Sequence, residues 1–317
     1  MSLHGGKRVC VRLSPSAVWA VTFMRTDLAG QSVRASIAAV SETRLSTALG
    51  RVDGCSVARP LVRTVEHLMA ALCATDVAAC DVQLDGEELP LLDGSARQWL
   101  DLIRQAGLVP LPTPTAPLMV EKPVWISHGD AWAIALPAAH TQLTYGIDFG
   151  RFAPIGKQWF SWCSTASHCG DDQPHCEEHA KISRIATQLQ SLGLGCAEVA
   201  HAAGRAAAAP TCASFEDAIA SARTFATTEG VAAARAAGLA AGGDLESALV
   251  CDERRWLNEG ALRFPNEPVR HKVLDLIGDL AMLGALPHAH VIAYKASHML
   301  HIALARALVC SAPDPEE

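Results

Sequence analysis

Each half of this chain reads as strands, then a helix, a strand and a helix, an order that predicts an α+β fold rather than a doubly wound sheet. Three observations carry that reading. Short apolar and β-branched runs precede helical periodicities in both halves. The segment PLPTPTAP, at 110–117, holds four prolines in eight residues and can be neither helix interior nor central strand. The length of 317 residues suits two domains better than one. The expected division is therefore 1–112 and 113–317.

The first half opens with strand-like runs at 7–13 (KRVCVRL) and 18–25 (VWAVTFMR). A helix is expected over 64–72 (TVEHLMAAL), with Thr64 as its N-cap. A strand follows at 79–84. The turn residues Asp93 and Gly94 then open a helix over 95–106, which Ser95 is placed to cap. The second half restarts with strands at 118–126, 131–136 and 143–149. Helices are expected near 214–223, 229–237 and 268–283, then a strand, HVIAY, and a last helix from 297 to 309. Between Phe160 and Cys212 the pattern decays into a stretch rich in Cys, His, Ala and Gly, which reads as an insertion of about 161–212 on the second domain.

Bulk properties exclude several classes. The net charge is −7 and no long basic run occurs, so no nucleic-acid partner is expected. No apolar stretch reaches membrane-spanning length. The start, MSLHGGKRVC, has no apolar secretory core, so a cytoplasmic protein is expected, with its eleven cysteines as free thiols or ligands rather than disulfides. The Cys and His residues of the insertion read either as a second, structural zinc site or as a disordered or species-specific loop. Their spacings match no standard finger, which favours the loop.

The segment PVRHKVLDLIGDLAMLG, 268–284, carries the sharpest chemical signal. Pro268 suits a first helical turn. His271, Asp275 and Asp279 fall at i, i+4 and i+8, on one helical face. Two such ligands one turn apart can share a metal ion; the alternative is a solvated polar face. A third ligand could come from His67, with the neighbouring Glu66 as a general base, or that pair could be a surface or capping feature. His298, after an apolar strand, is either a buried histidine satisfied by backbone or a general acid with Asp279 as its carboxylate partner.

Seven segments then occur in a familiar order: SLHGGK at 2–7, MRTDL at 24–28, TVEHLMAAL at 64–72, ELPLLDGSA at 88–96, ARTF at 222–225, the long run 257–284, and AYKASHMLHIALARAL at 293–308. In these the chain resembles the UDP-3-O-acyl-N-acetylglucosamine deacetylases, the zinc amidases of lipid A biosynthesis. The resemblance implies two α+β domains of similar topology, with helices sandwiched between β-sheets and the active site in the interdomain cleft. It implies a Zn2+ cofactor held by His67, His271 and Asp275. Glu66 would be the general base, His298 the general acid, Asp279 its partner, and Thr224 a donor to the oxyanion. Phe225, Lys272 and His4 would contact the substrate, an acylated UDP-N-acetylglucosamine. A monomer is expected. Iron would fit the same ligand types. The alternative function is a weak or inactive truncated homologue, since the chain begins almost inside SLHGGK. Ser297 stands where the family carries Gly, and His301 where it carries Asn. Small side chains after ARTF imply an altered acyl passage.

Overall fold

One strand arrangement is used twice in this protein. The structure, a computed structural model, describes residues 1–53, 56–111, 117–164 and 211–311. In the first half the strands β1 (Val11–Pro15), β2 (Val21–Arg25) and β3 (Gln31–Arg34) are joined by β7 (Cys80–Leu84) in the order β1-β7-β2-β3. β7 runs antiparallel to β1 and parallel to β2. It lies between helices α1 (Glu66–Ala74) and α2 (Arg97–Ala106) in sequence. Burial alternates along β2 and β7, with Phe23, Val82 and Leu84 turned inward, as a half-covered sheet requires. A separate antiparallel sheet, β4 (Val40–Glu42), β5 (Ala48–Asp53) and β6 (Ser56–Val62), precedes α1.

The second half repeats the first sheet's winding. Strands β8 (Val124–His128), β9 (Ala131–Pro137), β10 (Gln142–Asp148) and β11 (Lys157–Cys163) are followed, after a two-stranded parallel pair, by β14 (Ala289–Tyr294). That pair is β12 (Phe225–Thr227) and β13 (Leu249–Cys251), with helix α3 (Thr228–Ala236) between them. β14 enters between β9 and β10, antiparallel to one and parallel to the other. The order β9-β14-β10-β11 matches β1-β7-β2-β3, and β8 adds an edge. Helices α4 (Glu267–Leu280) and α5 (His298–Ser311) occupy the places of α1 and α2.

The two counterpart helices, α1 and α4, pack on each other. Both are buried almost all round: every residue from Glu66 to Leu72 is buried, as are twelve of the fourteen in α4. Glycine would ordinarily weaken the middle of α4. At Gly278, however, a Cβ would lie 2.1 Å from the carbonyl oxygen of Glu66, so only glycine permits this crossing. One continuous hydrophobic cluster runs from Phe23 and Leu72 in the first half to Leu274 and Leu300 in the second.

Several expectations need correction. Thr64 does not cap α1: its φ is +57°, and its hydroxyl donates to the buried Glu88 carboxylate at 2.9 Å. Ser95 does accept the N–H of Arg97, at 3.2 Å, after a turn at Asp93–Gly94. The helix expected near 214–223 is a single π-helical turn, Glu216–Ala220. The expected insertion begins inside β11, and its Cys and His residues between 165 and 210 lie outside the described residues, as do the central prolines of the 110–117 segment. Strands β3 to β6 and the pair β12–β13 were not anticipated. β3, β4, β12 and β13 span only three or four residues each, and β6 contains Pro60, which is tolerated because β6 is an edge strand. Cys10, Cys73, Cys80, Cys251 and Cys310 are free thiols as expected. Cys212 is disulfide-bonded, a spatial pairing that no spacing announces.

Substituting Gly278→Ala should destabilise the protein by about 1–3 kcal/mol or more, because the added methyl meets backbone rather than a movable side chain. Urea unfolding of the purified variant reads this directly; an unchanged midpoint would mean that α1 and α4 can part without cost.

Candidate active site

The helix crossing brings chemistry-bearing residues of both halves to one place. α4 is anchored at its start, with Pro268 in the first turn. There the fully buried Glu267 accepts from Arg223 Nε at 2.8 Å and from the Arg223 and Arg263 N–H groups at 3.0 and 2.7 Å. One turn on, His271 Nδ1 lies 3.0 Å from the carbonyl oxygen of Ala222. A carbonyl only accepts, so Nδ1 carries the hydrogen and the Nε2 lone pair points the other way. That Nε2 is 3.3 Å from Asp275 Oδ1, and His67 Nε2, from α1, is 3.7 Å from the same oxygen. The two imidazoles meet edge to face, 4.9 Å between centroids. The three residues are buried, not a solvated face.

Among the described residues Asp275 Oδ1 has no hydrogen-bond partner, although it is buried. An unpaired carboxylate oxygen is costly in such a place. Burial pushes His271 down to about 4, so it is neutral near pH 7 with its lone pair available. Burial would raise Asp275, but Lys272 and His271 hold it well below the ordinary carboxylate value. Two imidazole nitrogens and one ionised oxygen, all within 4.8 Å, form a donor set that fits a divalent cation.

The remaining titratable groups surround that set. Glu66 is buried, and its Oε2 accepts the Thr47 N–H at 3.0 Å; burial raises its pKa. His298 begins α5, and its Nδ1 is 2.8 Å from Asp279 Oδ2. Burial opposes charging of this ring, but the Asp279 carboxylate outweighs it and lifts His298 to about 9. Near neutral pH it is an imidazolium. Asp279 is held down to about 2 against burial by the His298 and His301 rings. His301, fully buried, places Nδ1 2.7 Å from the same Asp279 oxygen, and the Tyr145 hydroxyl bridges His301 Nε2 and the Ala296 carbonyl at 2.8 and 2.7 Å.

A cleft of about 570 Å³, a size suited to a small-molecule ligand, opens beside these groups. Glu66, His67, Thr224, Phe225, His271 and His298 lie in its wall. Thr224 is fixed through its backbone, donating to Gly94 O at 2.7 Å. Gly94 is required there: its φ is +79° and a Cβ would lie 2.0 Å from Ser247 O. Phe225 packs edge-on against Phe149 and faces His271. Lys272 also lines the cleft but donates to Asp275 Oδ2 at 2.8 Å. His4 is buried behind the wall, its ring meeting Ser46 Oγ at 3.2 Å and the Ala240 N–H at 3.4 Å; its neighbour Leu3 reaches the cleft. Ser297 is exposed and free of positive φ, so its Cβ causes no strain before His298. On the far wall Lys295 pairs with Asp130 at 2.8 Å and approaches Asp148. Thr47, His301, the Arg223–Glu267 pair and the Lys295 pairings were not foreseen as parts of the site.

A family model described as UDP-3-O-acyl N-acetylglycosamine deacetylase matches residues 1–172 and 191–310. The unmatched stretch lies inside the expected 161–212 insertion and is shorter than it. The UDP-3-O-acyl-N-acetylglucosamine deacetylase of Trichormus variabilis is 39% identical over 313 residues, covering 98% of this chain and 94% of its own. That of Thermosynechococcus vestitus is 40% identical over 310 residues, covering 97% and 89%. A protein of Arabidopsis thaliana named probable UDP-3-O-acyl-N-acetylglucosamine deacetylase 1, mitochondrial, is 36% identical over 326 residues, covering 97% and 83%.

The His298–Asp279 pair sets a pH dependence. A group whose pKa is raised keeps its proton up to that value, so a reaction needing the imidazolium should run on a plateau below pH about 9 and decline above it. Asp279→Asn removes the raising charge and should move that decline to lower pH in a kcat/KM profile. A decline that stays in place would assign it to another group.

Proposed function

The chain belongs to the UDP-3-O-acyl N-acetylglycosamine deacetylase family, and on that premise we propose that it hydrolyses the N-acetyl group of UDP-3-O-acyl-N-acetylglucosamine. The products are acetate and the free amine, and the step commits the sugar nucleotide to lipid A biosynthesis. The observation that carries the mechanism is the unpartnered Asp275 oxygen facing His67 and His271, flanked by a carboxyl group and a charged imidazole.

His67, His271 and Asp275 would hold a zinc ion, which when bound supplies Lewis acidity toward water and the amide carbonyl. Glu66 takes a proton from the attacking water. Its raised pKa makes it a stronger base than an exposed carboxylate. Thr224 and the His298 imidazolium donate to the carbonyl oxygen as negative charge gathers there. His298 then gives its proton to the departing nitrogen, because an amide nitrogen leaves as an amine and not as an anion. Asp279 keeps that ring charged and oriented. Two titratable groups with pKa values pushed to opposite uses thus divide base and acid work. Phe225 would face the acyl chain, and Lys272 and His4 would assist at the polar end of the substrate. Lys272 keeps two further N–H donors beside the one given to Asp275, and His4 acts from behind the wall.

We further take 1–112 and 113–317 as two units of like winding, a division supported by the repeated strand order, with the segment 161–212 carried by the second. No helix among the described residues is long and apolar enough to cross a membrane. A monomer working in the cytoplasm is the reading adopted, with light scattering and cell fractionation as its checks.

Acetate release from UDP-3-O-(3-hydroxyacyl)-N-acetylglucosamine, with metal content measured alongside, tests the whole. Glu66→Ala should lose at least ~10²-fold in kcat yet keep about one zinc per chain, whereas His271→Ala should lose metal and turnover together. Thr224→Val should lower kcat by about 10²–10³. Full turnover in the metal-free His271→Ala protein would sink the reading.

A further inference from the structure

Thr47 spends every polar group it has on the catalytic apparatus. It lies immediately before β5 and is fully buried. Its N–H donates to Glu66 Oε2 at 3.0 Å. Its hydroxyl donates to Asp279 Oδ1 at 2.5 Å, across 232 positions of sequence. Its carbonyl accepts the Val65 N–H at 3.3 Å, at the residue that leads into α1. One residue therefore holds the start of the helix bearing Glu66 and His67, one oxygen of Glu66 itself, and the carboxylate on α4 that orients His298.

The geometry at Asp279 makes the hydroxyl more than a space filler. Oδ2 is shared by the His298 and His301 rings, and among the described residues the only hydrogen bond on Oδ1 is the one from Thr47. A buried carboxylate gripped through one oxygen can pivot about that oxygen. Gripped through both, it cannot, and the imidazole bonded to it keeps one orientation. The Glu66 contact works likewise: Thr47 engages only Oε2 and leaves the other oxygen to receive a proton. We propose that Thr47 is a positioning residue that fixes the base Glu66 and the acid partner Asp279 relative to one another, so that their spacing is set through a single side chain and its backbone. This rests on the roles given to Glu66 and Asp279 above.

The test is steady-state deacetylation by the full-length, metal-loaded chain. Thr47→Val keeps the shape and the backbone N–H but deletes the hydroxyl. It should lower kcat by about 10–100-fold while leaving KM and bound metal unchanged. Thr47→Ser, which restores the hydroxyl, should recover most of that loss. In Thr47→Val/Asp279→Asn the kcat should be no lower than in Asp279→Asn alone, because the hydroxyl acts through that carboxylate. Wild-type kcat in Thr47→Val, a loss confined to KM, failure of serine to rescue, or fully additive losses in the double variant would each overturn the assignment. Thermal melts are run on every variant. If the valine protein does not fold, the serine and alanine variants carry the same comparison, serine being expected near wild type and alanine impaired in kcat. Asp279→Asn or Glu66→Ala at wild-type kcat would instead remove the mechanism beneath the proposal, an outcome distinct from failure at Thr47 alone.

Discussion

The approach of α4 to the backbone of Glu66 is the constraint on which the site depends. Gly278 lets the two helices come within backbone contact. Glu66 and His67 stand at the start of one helix, and His271, Asp275 and Asp279 line the other around the crossing. A bulkier residue would separate two imidazoles now 4.9 Å apart between centroids and would open the donor set. The site is thus a product of interhelical distance before it is a product of any one side chain. The anchoring of α4 by Glu267 with Arg223, and of Thr224 by Gly94, serves the same end from either side.

Charge is arranged around Asp279. A buried carboxylate is stable only when its lone pairs are answered. Here one oxygen takes two imidazole N–H groups and the other a hydroxyl. The result is one imidazolium, His298, beside one carboxyl of raised pKa, Glu66, inside a pocket that otherwise penalises ions. Burial acts on both in the direction that favours neutrality. Asp279 reverses the outcome for His298 alone. The difference between acid and base is therefore made by which group touches that carboxylate.

Much of this could be read from residues in a row. The i, i+4, i+8 spacing of His271, Asp275 and Asp279 survives intact because a helix fixes it locally, and most strands of the two main sheets, though not β3 or β11, announce themselves by apolar and β-branched runs. What could not be read is what depends on distant partners. Thr64 has the composition of a cap, but a positive φ and the pull of Glu88 turn it aside. Thr47 lies in a polar run with no periodicity, and its importance comes from Asp279 on a remote helix. Gly278 looks like a weak point in a helix until Glu66 is seen beneath it. The strands β4 to β6 are too mixed in Ala, Ser and Arg to stand out.

The separation of Thr47 from Asp279 along the chain has a consequence for biogenesis. No such contact can form until Asp279 has left the ribosome, and closing so long a loop is slow. His298 comes later still, in the final helix. A nascent or clipped chain that lacks α4 and α5 carries Glu66 and His67, yet it holds neither a complete donor set nor an acid. Hydrolytic competence arrives all at once, when α5 joins the fold, so a chain without that helix has no capacity to attack the acetylated sugars around it.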